Sequence, residues 1–164
     1  MIMHAHSVKS LPQEDYVQIE KEHTRLREVL SELKGTCCNI QNQLGCEGCS
    51  QEKHAACIGQ LNSFFYNLVN LAFNHFSHEE LIMLKRPHVT TEYEYFRNHK
   101  QAHQTILLDL DRVVSTCRSF KQKGQAAEAY RLLHRNVSKL FAEHDQSFDD
   151  PFIQSTQIED FALL

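Results

Sequence analysis

Polar residues with metal-ligand chemistry interrupt the apolar stripes of this sequence. They are five histidines and one glutamate: His23, His75, Glu79, His99, His103 and His144. An imidazole or carboxylate in an apolar interior costs several kcal/mol unless another group pairs with it. Six such groups on converging helices can satisfy one another by sharing metal ions. The pattern therefore predicts a metal site inside a helical core.

The spacing of these residues indicates a shared site. His75 and Glu79 are four residues apart, as are His99 and His103. This spacing places the two members of each pair on one helix face, about a turn apart. Asp149 follows His144 by five residues, or about 140° around an ideal helix, so it must bend inward from a frayed last turn before Pro151. Imidazole suits iron, zinc, copper and nickel, whereas bridging carboxylates suit hard cations. The mixed set favours two intermediate ions, with iron the best fit.

Four amphipathic helices are expected to position these ligands. Apolar side chains recur at spacings of three and four over these ranges: 15–34, 52–84, 96–117 and 130–148. Glycine or proline follows each range, and no strand pattern competes. The predicted fold is all-α, an up-down four-helix bundle, an architecture in which facing helices build metal sites in the core.

Two segments lie outside the bundle, which spans about 15–151. Residues 36–50, rich in Cys, Gly, Asn and Gln, form an extended cysteine-rich connection, longer than a bundle needs. The C-terminal tail, 152–164, ends in apolar residues, which suggests docking onto the bundle, onto a protein partner or onto a second copy. The whole chain, 1–164, is predicted to form a single domain.

Composition excludes several classes of partner. The chain has 17 basic and 21 acidic residues and no basic stripe with interleaved aromatics, so nucleic acid is not expected. The most apolar run, 64–73, is short and contains Asn67 and Asn70, so no membrane span is expected. The first residues lack the layout of a secretory signal, and we expect a cytoplasmic protein.

The motifs together resemble those of the hemerythrin family, including the bacterial hemerythrins. Residues 23–26 are similar to the first-helix H-x-x-L element of that family, and 75–83 resemble its H-F-x-x-E-E-x-x-M signature. Residues 99–103 resemble the H-x-x-x-H of the third helix, and 144–149 resemble the final H-x-x-x-x-D. All seven ligand types occur in the expected order, over most of the chain.

The resemblance implies a ligand assignment for two iron ions. One ion takes the three histidines of the last two helices, His99, His103 and His144. The other takes His23 and His75 and keeps one position open. The two carboxylates bridge the ions together with an oxo or hydroxo group.

The function implied is reversible binding of O2, or of NO, for storage, delivery or sensing, without turnover of a substrate. Leu26, Leu30 and Phe141 are expected to line a dry gas pocket, with Phe141 as its gate. The alternative is a signalling or interaction module that responds to O2, NO, redox or iron status through the cysteine-rich connection and the tail. Reduction of NO or peroxide at the same centre is a weaker enzymatic alternative.

Other helical metal proteins fit less well. Ferritin-like oxidases need two Glu-x-x-His motifs on separate helices, and this chain offers only Glu20-x-x-His23. The dipeptide His144-Asp145 resembles part of the HD-type phosphohydrolase motif, but no downstream arrangement supports that class.

The cysteine-rich connection poses a separate question. Cys46-x-x-Cys49 has Cys38 upstream and Cys57 downstream, enough soft ligands for a structural zinc or a small iron-sulfur group. A Cys-x-x-Cys pair is also a natural dithiol switch, and inert thiols are the third interpretation. Our hypothesis is that this segment senses redox or metal status and adjusts the di-iron site through the second helix.

Overall fold

The protein is an all-α four-helix bundle, as predicted. A computed structural model describes residues 13–86 and 89–149, and within them there is no β-strand. The helices are α1 (Gln13–Thr36), α2 (Gln51–Leu84), α3 (Glu94–Gln122) and α4 (Ala126–His144), followed by a π-helix over Asp145–Asp149. The tail 152–164 lies outside the described residues, so its predicted docking stays a prediction.

Each helix packs against two neighbours, and α2 and α4 also make a smaller contact across the bundle. α1 packs against α2 and α4, and α3 packs against α2 and α4. α3 and α4 are joined by residues 123–125 alone. Gly124 adopts a left-handed backbone conformation there, with φ of 73°. This conformation ends α3 and lets the chain turn back at once, because glycine meets no Cβ clash at positive φ.

Two apolar clusters lie at different heights along the bundle. The larger runs from Cys37 and Cys57 at one end to Leu26, Phe76 and Ile106. The smaller contains Ile19, Ile82, Met83, Val89 and Phe96. Helical order places the predicted ligand residues of α1, α2 and α3 between these two clusters.

None of the helices in the described part of the chain is both long and apolar enough to cross a membrane. This agrees with the short, interrupted apolar run of α2.

Candidate metal centre

A layer of buried polar side chains separates the two apolar clusters. It contains all seven predicted ligands, none of which is more than 8% exposed: His23, His75, Glu79, His99, His103, His144 and Asp149. Each helix contributes at least one histidine because the apolar stripes of all four helices face the same interior. The structure therefore brings every one of these residues to a single place.

Asp149 reaches this layer through a change of helix type. The expectation of a frayed last turn was wrong, because residues Asp145–Asp149 form a π-helix directly after α4. A π-helix closes i→i+5 hydrogen bonds, so residues five apart lie nearly above one another. Asp149 is thus placed on the same face as His144 and is fully buried.

The two carboxylate oxygens of Asp149 face different histidines. Oδ2 lies 3.3 Å from His23 Nε2 and 3.7 Å from His75 Nε2. Oδ1 lies 2.8 Å from His144 Nε2 and 3.3 Å from His99 Nε2. The carboxylate therefore stands between a pair of imidazoles from α1 and α2 and a pair from α3 and α4.

Glu79 divides its oxygens in the same way. Its Oε1 lies 3.6 Å from His75 Nε2. Its Oε2 lies 3.2 Å from His103 Nε2, 3.7 Å from His99 Nε2 and 3.6 Å from His144 Nε2. Both carboxylates thus offer one oxygen to each half of the layer.

Two overlapping groups of ligand atoms are compact enough for a metal ion. In each group, one ligand atom from every residue lies within 4.8 Å of all the others. The first group is Glu79, His99, His103 and His144. The second is His23, His75, Glu79 and Asp149. Since Glu79 belongs to both, the groups are adjacent and share a bridging side chain.

The hydrogen bonding of the layer is incomplete without a cation. Among the described residues, both oxygens of Asp149 and Oε1 of Glu79 are buried and have no partner in hydrogen-bonding geometry, although imidazole nitrogens lie nearby. Buried carboxylate oxygens are expensive unless something satisfies them. Imidazole nitrogens and carboxylate oxygens converging in this way fit divalent metal ions of the first transition row.

The carboxylates and imidazoles of the layer shift one another's pKa values. Burial alone would raise the pKa of Asp149, but the surrounding imidazoles outweigh it and hold that pKa well below its usual range. Burial alone would lower the pKa of His75, but Asp149 and Glu22 outweigh it and raise that pKa to about 10. The pKa of His144 is raised to about 9 because Asp149 and Glu79 outweigh burial in the same way. Positive charge must therefore accompany these carboxylates, and a metal cation can supply it by displacing protons.

Two glutamates that the sequence analysis missed hold the outer nitrogens of the histidines. Glu22 Oε2 lies 3.1 Å from Nδ1 of His75, and its other oxygen contacts Nδ1 of His78. Glu80 Oε1 lies 3.0 Å from Nδ1 of His103. Such carboxylates fix the ring orientation and the tautomer of a metal-binding histidine. In the sequence, Glu22 directly precedes His23 and Glu80 directly follows Glu79. This adjacency to predicted ligands was the signal that could have indicated their role.

Aromatic rings pack against the histidines. Phe76 stacks on His103 with centroids 4.2 Å apart and planes 12° apart, and Phe148 stacks on His99 at 5.0 Å. Phe141 lies behind Phe76, with centroids 5.9 Å apart. Phe141 therefore reaches the ligand layer through Phe76, and its role as a gate remains a prediction.

The other two predicted pocket residues lie in or against the larger apolar cluster. Leu26 is buried within it, and Leu30 is partly buried against it. The predicted soft-ligand cysteines lie elsewhere, around a small cavity that Cys38, Cys46, Cys49 and Cys57 line. They are thus separate from the histidine layer.

The fold and this layer together define a cation-binding helical bundle. The sequence model of the hemerythrin HHE cation binding domain matches residues 14–150. The chain therefore belongs to the hemerythrin family, as its motifs predicted. Comparison with curated proteins finds no significant match, and comparison with solved structures finds none either.

Proposed function

We propose that the centre holds two iron ions and binds O2 reversibly. The observation that carries this proposal is the two-sided placement of Glu79 and Asp149, each with one oxygen toward either half of the histidine layer. Two carboxylates in that position suit a pair of ions held close together by oxygen bridges. Five imidazoles with two carboxylates favour iron over harder cations such as Mg²⁺.

The unequal division of histidines supports gas binding. His99, His103 and His144 would hold one ion, and His23 and His75 would hold the other, with the carboxylates between them. The second half of the layer is therefore one nitrogen ligand short of the first. When bound, a pair of iron ions supplies the electrons and the open coordination position that O2 binding requires.

The protein contributes orientation and exclusion of water. Glu22 and Glu80 hold the outer nitrogens of His75 and His103, so that the Nε2 atoms of both rings face inward. The rings of Phe76 and Phe148 cover imidazole faces with apolar surface. A dry, preoriented layer favours reversible binding because water and protons are kept from a bound gas.

The test is metal analysis and gas titration of the full chain purified without oxygen. We expect about two irons per chain, with visible absorption bands that appear with O2, fade under argon and change with azide. Protein that holds only zinc, or iron protein whose spectrum ignores O2 and azide, would refute the proposal. Steady-state consumption of NO or peroxide with a reductant would show an enzyme instead.

A matched pair of variants ties the result to the layer. His99→Ala removes an imidazole that is fully buried among the ligands. His134→Ala removes a partly exposed imidazole of α4 that lies outside both ligand groups. We expect the first variant to lose iron and the O2-dependent bands, and the second to keep both.

A further inference from the structure

Five cysteines surround one small cavity at the end of the bundle. Cys37 and Cys38 follow α1, Cys46 and Cys49 lie in the connection, and Cys57 lies in the second turn of α2. All are free thiols, and the cavity has a volume of about 10 Å³, the space of about one water molecule. α1 rises about 1.5 Å per residue, so its end lies about 20 Å from His23. The cavity is therefore spatially separate from the histidine layer.

Two of these thiols, Cys38 and Cys49, share one hydrogen-bonding neighbour and line the same cavity. The side-chain amide of Asn39 bridges them, accepting from Cys38 Sγ through Oδ1 and donating from Nδ2 to Cys49 Sγ, each at 3.8 Å. Asn39 thus links Cys49 to Cys38, whereas the sulfur of its Cys-x-x-Cys partner is engaged elsewhere. Cys46 Sγ accepts the backbone N–H of Ala127 at 3.3 Å, at the start of α4.

Exposure separates this pair from the packing cysteines. Cys38 is exposed and Cys49 is partly exposed. Cys37, Cys57 and Cys117 are buried, as is usual for cysteines that only fill a core. Accessible thiols are the ones that small oxidants and disulfides reach.

The connection already holds the two thiols together. Arg131 of α4 donates from Nη1 to the backbone carbonyls of Asn39 and Leu44, at 2.9 and 2.8 Å. The Asn39 amide also donates to the carbonyl of Gly45 at 2.8 Å. A backbone N–H of Cys49 bonds to the carbonyl of Cys46 at 3.0 Å, which closes a turn. These bonds order the segments that carry Cys38 and Cys49 and keep both at the same cavity.

We infer that Cys38 and Cys49 are a reversible dithiol–disulfide site that exchanges with low-molecular-weight disulfides. The thiolate of one cysteine attacks a sulfur of a disulfide such as oxidised glutathione and releases one glutathione thiolate. The second cysteine then attacks the mixed disulfide, forms the Cys38–Cys49 bond and releases the second glutathione. Two protein thiols lose two electrons and two protons, and one external disulfide becomes two thiols.

The geometry favours this site over a metal site. Tetrahedral zinc with Zn–S distances of about 2.3 Å brings its sulfur ligands to within about 3.8 Å of one another. The histidine layer contains groups of four ligand atoms within 4.8 Å, whereas no three cysteine or histidine ligand atoms around this cavity meet that distance among the described residues. A pair of neighbouring thiols is sufficient for a disulfide and is too few for such a metal site.

The experiment is a redox titration of the full chain in buffers of oxidised and reduced glutathione, followed by denaturing alkylation and mass spectrometry. The reduced chain should carry six alkyl groups, one for each cysteine. As the proportion of oxidised glutathione rises, we expect the number to fall to four, with the mass loss of two hydrogens. Cleavage after Glu47 separates Cys46 from Cys49, so the bond should link two peptides.

Serine variants identify the pair. Cys38→Ser and Cys49→Ser should lose the disulfide completely, whereas Cys46→Ser, the matched control in the same turn, should still form it. A bond that survives Cys38→Ser and disappears in Cys46→Ser would overturn the proposed pair. Failure of the wild-type chain to oxidise at any buffer ratio would overturn the site. About one equivalent of zinc or iron released on thiol modification would show a metal site instead.

The readouts are separate from those of the iron proposal. Alkyl counting reports on the cysteines alone, and the O2-dependent bands report on the iron alone. Either proposal can therefore fail without the other.

Discussion

Neutralising Glu22 should weaken metal binding in the two-histidine half of the layer. Glu22 accepts from His75 Nδ1 at 3.1 Å, and its side chain is 13% exposed, so solvent screens it only in part. Glu22→Gln keeps the shape and one acceptor oxygen but removes the charge. Hydrogen bonds to charged groups contribute about 1.5–3 kcal/mol and neutral ones about 0.5–1.5 kcal/mol. The difference between the midpoints of these ranges, about 1.25 kcal/mol, corresponds to a metal affinity weaker by close to tenfold.

The assay is an anaerobic titration of metal-free protein with Fe²⁺ against a competing chelator. Two binding steps are expected, and Glu22→Gln should shift one of them about tenfold. Glu22→Ala, which removes both oxygens, should approach the hundredfold loss seen for carboxylates that orient metal-binding histidines. Glu80→Gln, acting through His103, should shift the other step.

Glu28→Gln is the matched control on the same helix. Glu28 is 55% exposed and pairs only with Arg25 among the described residues. The metal affinity of the Glu28→Gln variant should therefore stay within twofold of wild type. If Glu22→Gln also stays within twofold, or if the control loses as much as Glu22→Gln, the orienting role assigned to Glu22 is wrong.

Three further predictions concern other parts of the molecule. By metal analysis, Asp149→Asn should reduce the iron content from two to about one per chain, because it removes a carboxylate from the two-histidine half. The control Glu143→Gln, at an exposed site nearby, should keep both irons. Tyr130→Phe should lower the free energy of unfolding by about 0.5–1.5 kcal/mol in urea, since it removes a 2.8 Å hydrogen bond to a carbonyl of α2 that keeps its helical donor. Tyr66→Phe, at a 72% exposed site, should change it little. Burial raises the pKa of Cys117 to about 12. This thiol should therefore resist alkylation in the native chain at neutral pH and react after unfolding. Rapid labelling of Cys117 in the native chain would contradict its burial.

The candidate layer was largely predictable because its ligands follow helix periodicity. Pairs four residues apart, such as His75 with Glu79, share a face in any α-helix, whatever surrounds it. The apolar neighbours of these residues then require that face to be buried. The four helices follow from the same repeat. The observed ends of α1 and α2 lie within two residues of the predicted ones, and Gly124 separates α3 from α4 as predicted.

Contacts between distant parts of the chain were not predictable from spacing. The sequence alone established four amphipathic helices, the seven ligand-type residues and the family motifs, because each depends on residues a few positions apart. Only the tertiary structure decided that Glu22 of α1 holds His75 of α2 and that a π-helix carries Asp149 inward. It also decided that one amide, of Asn39, contacts both Cys38 and Cys49. Those outcomes depend on how helices and connections pack, and many packings are compatible with the same local periodicity.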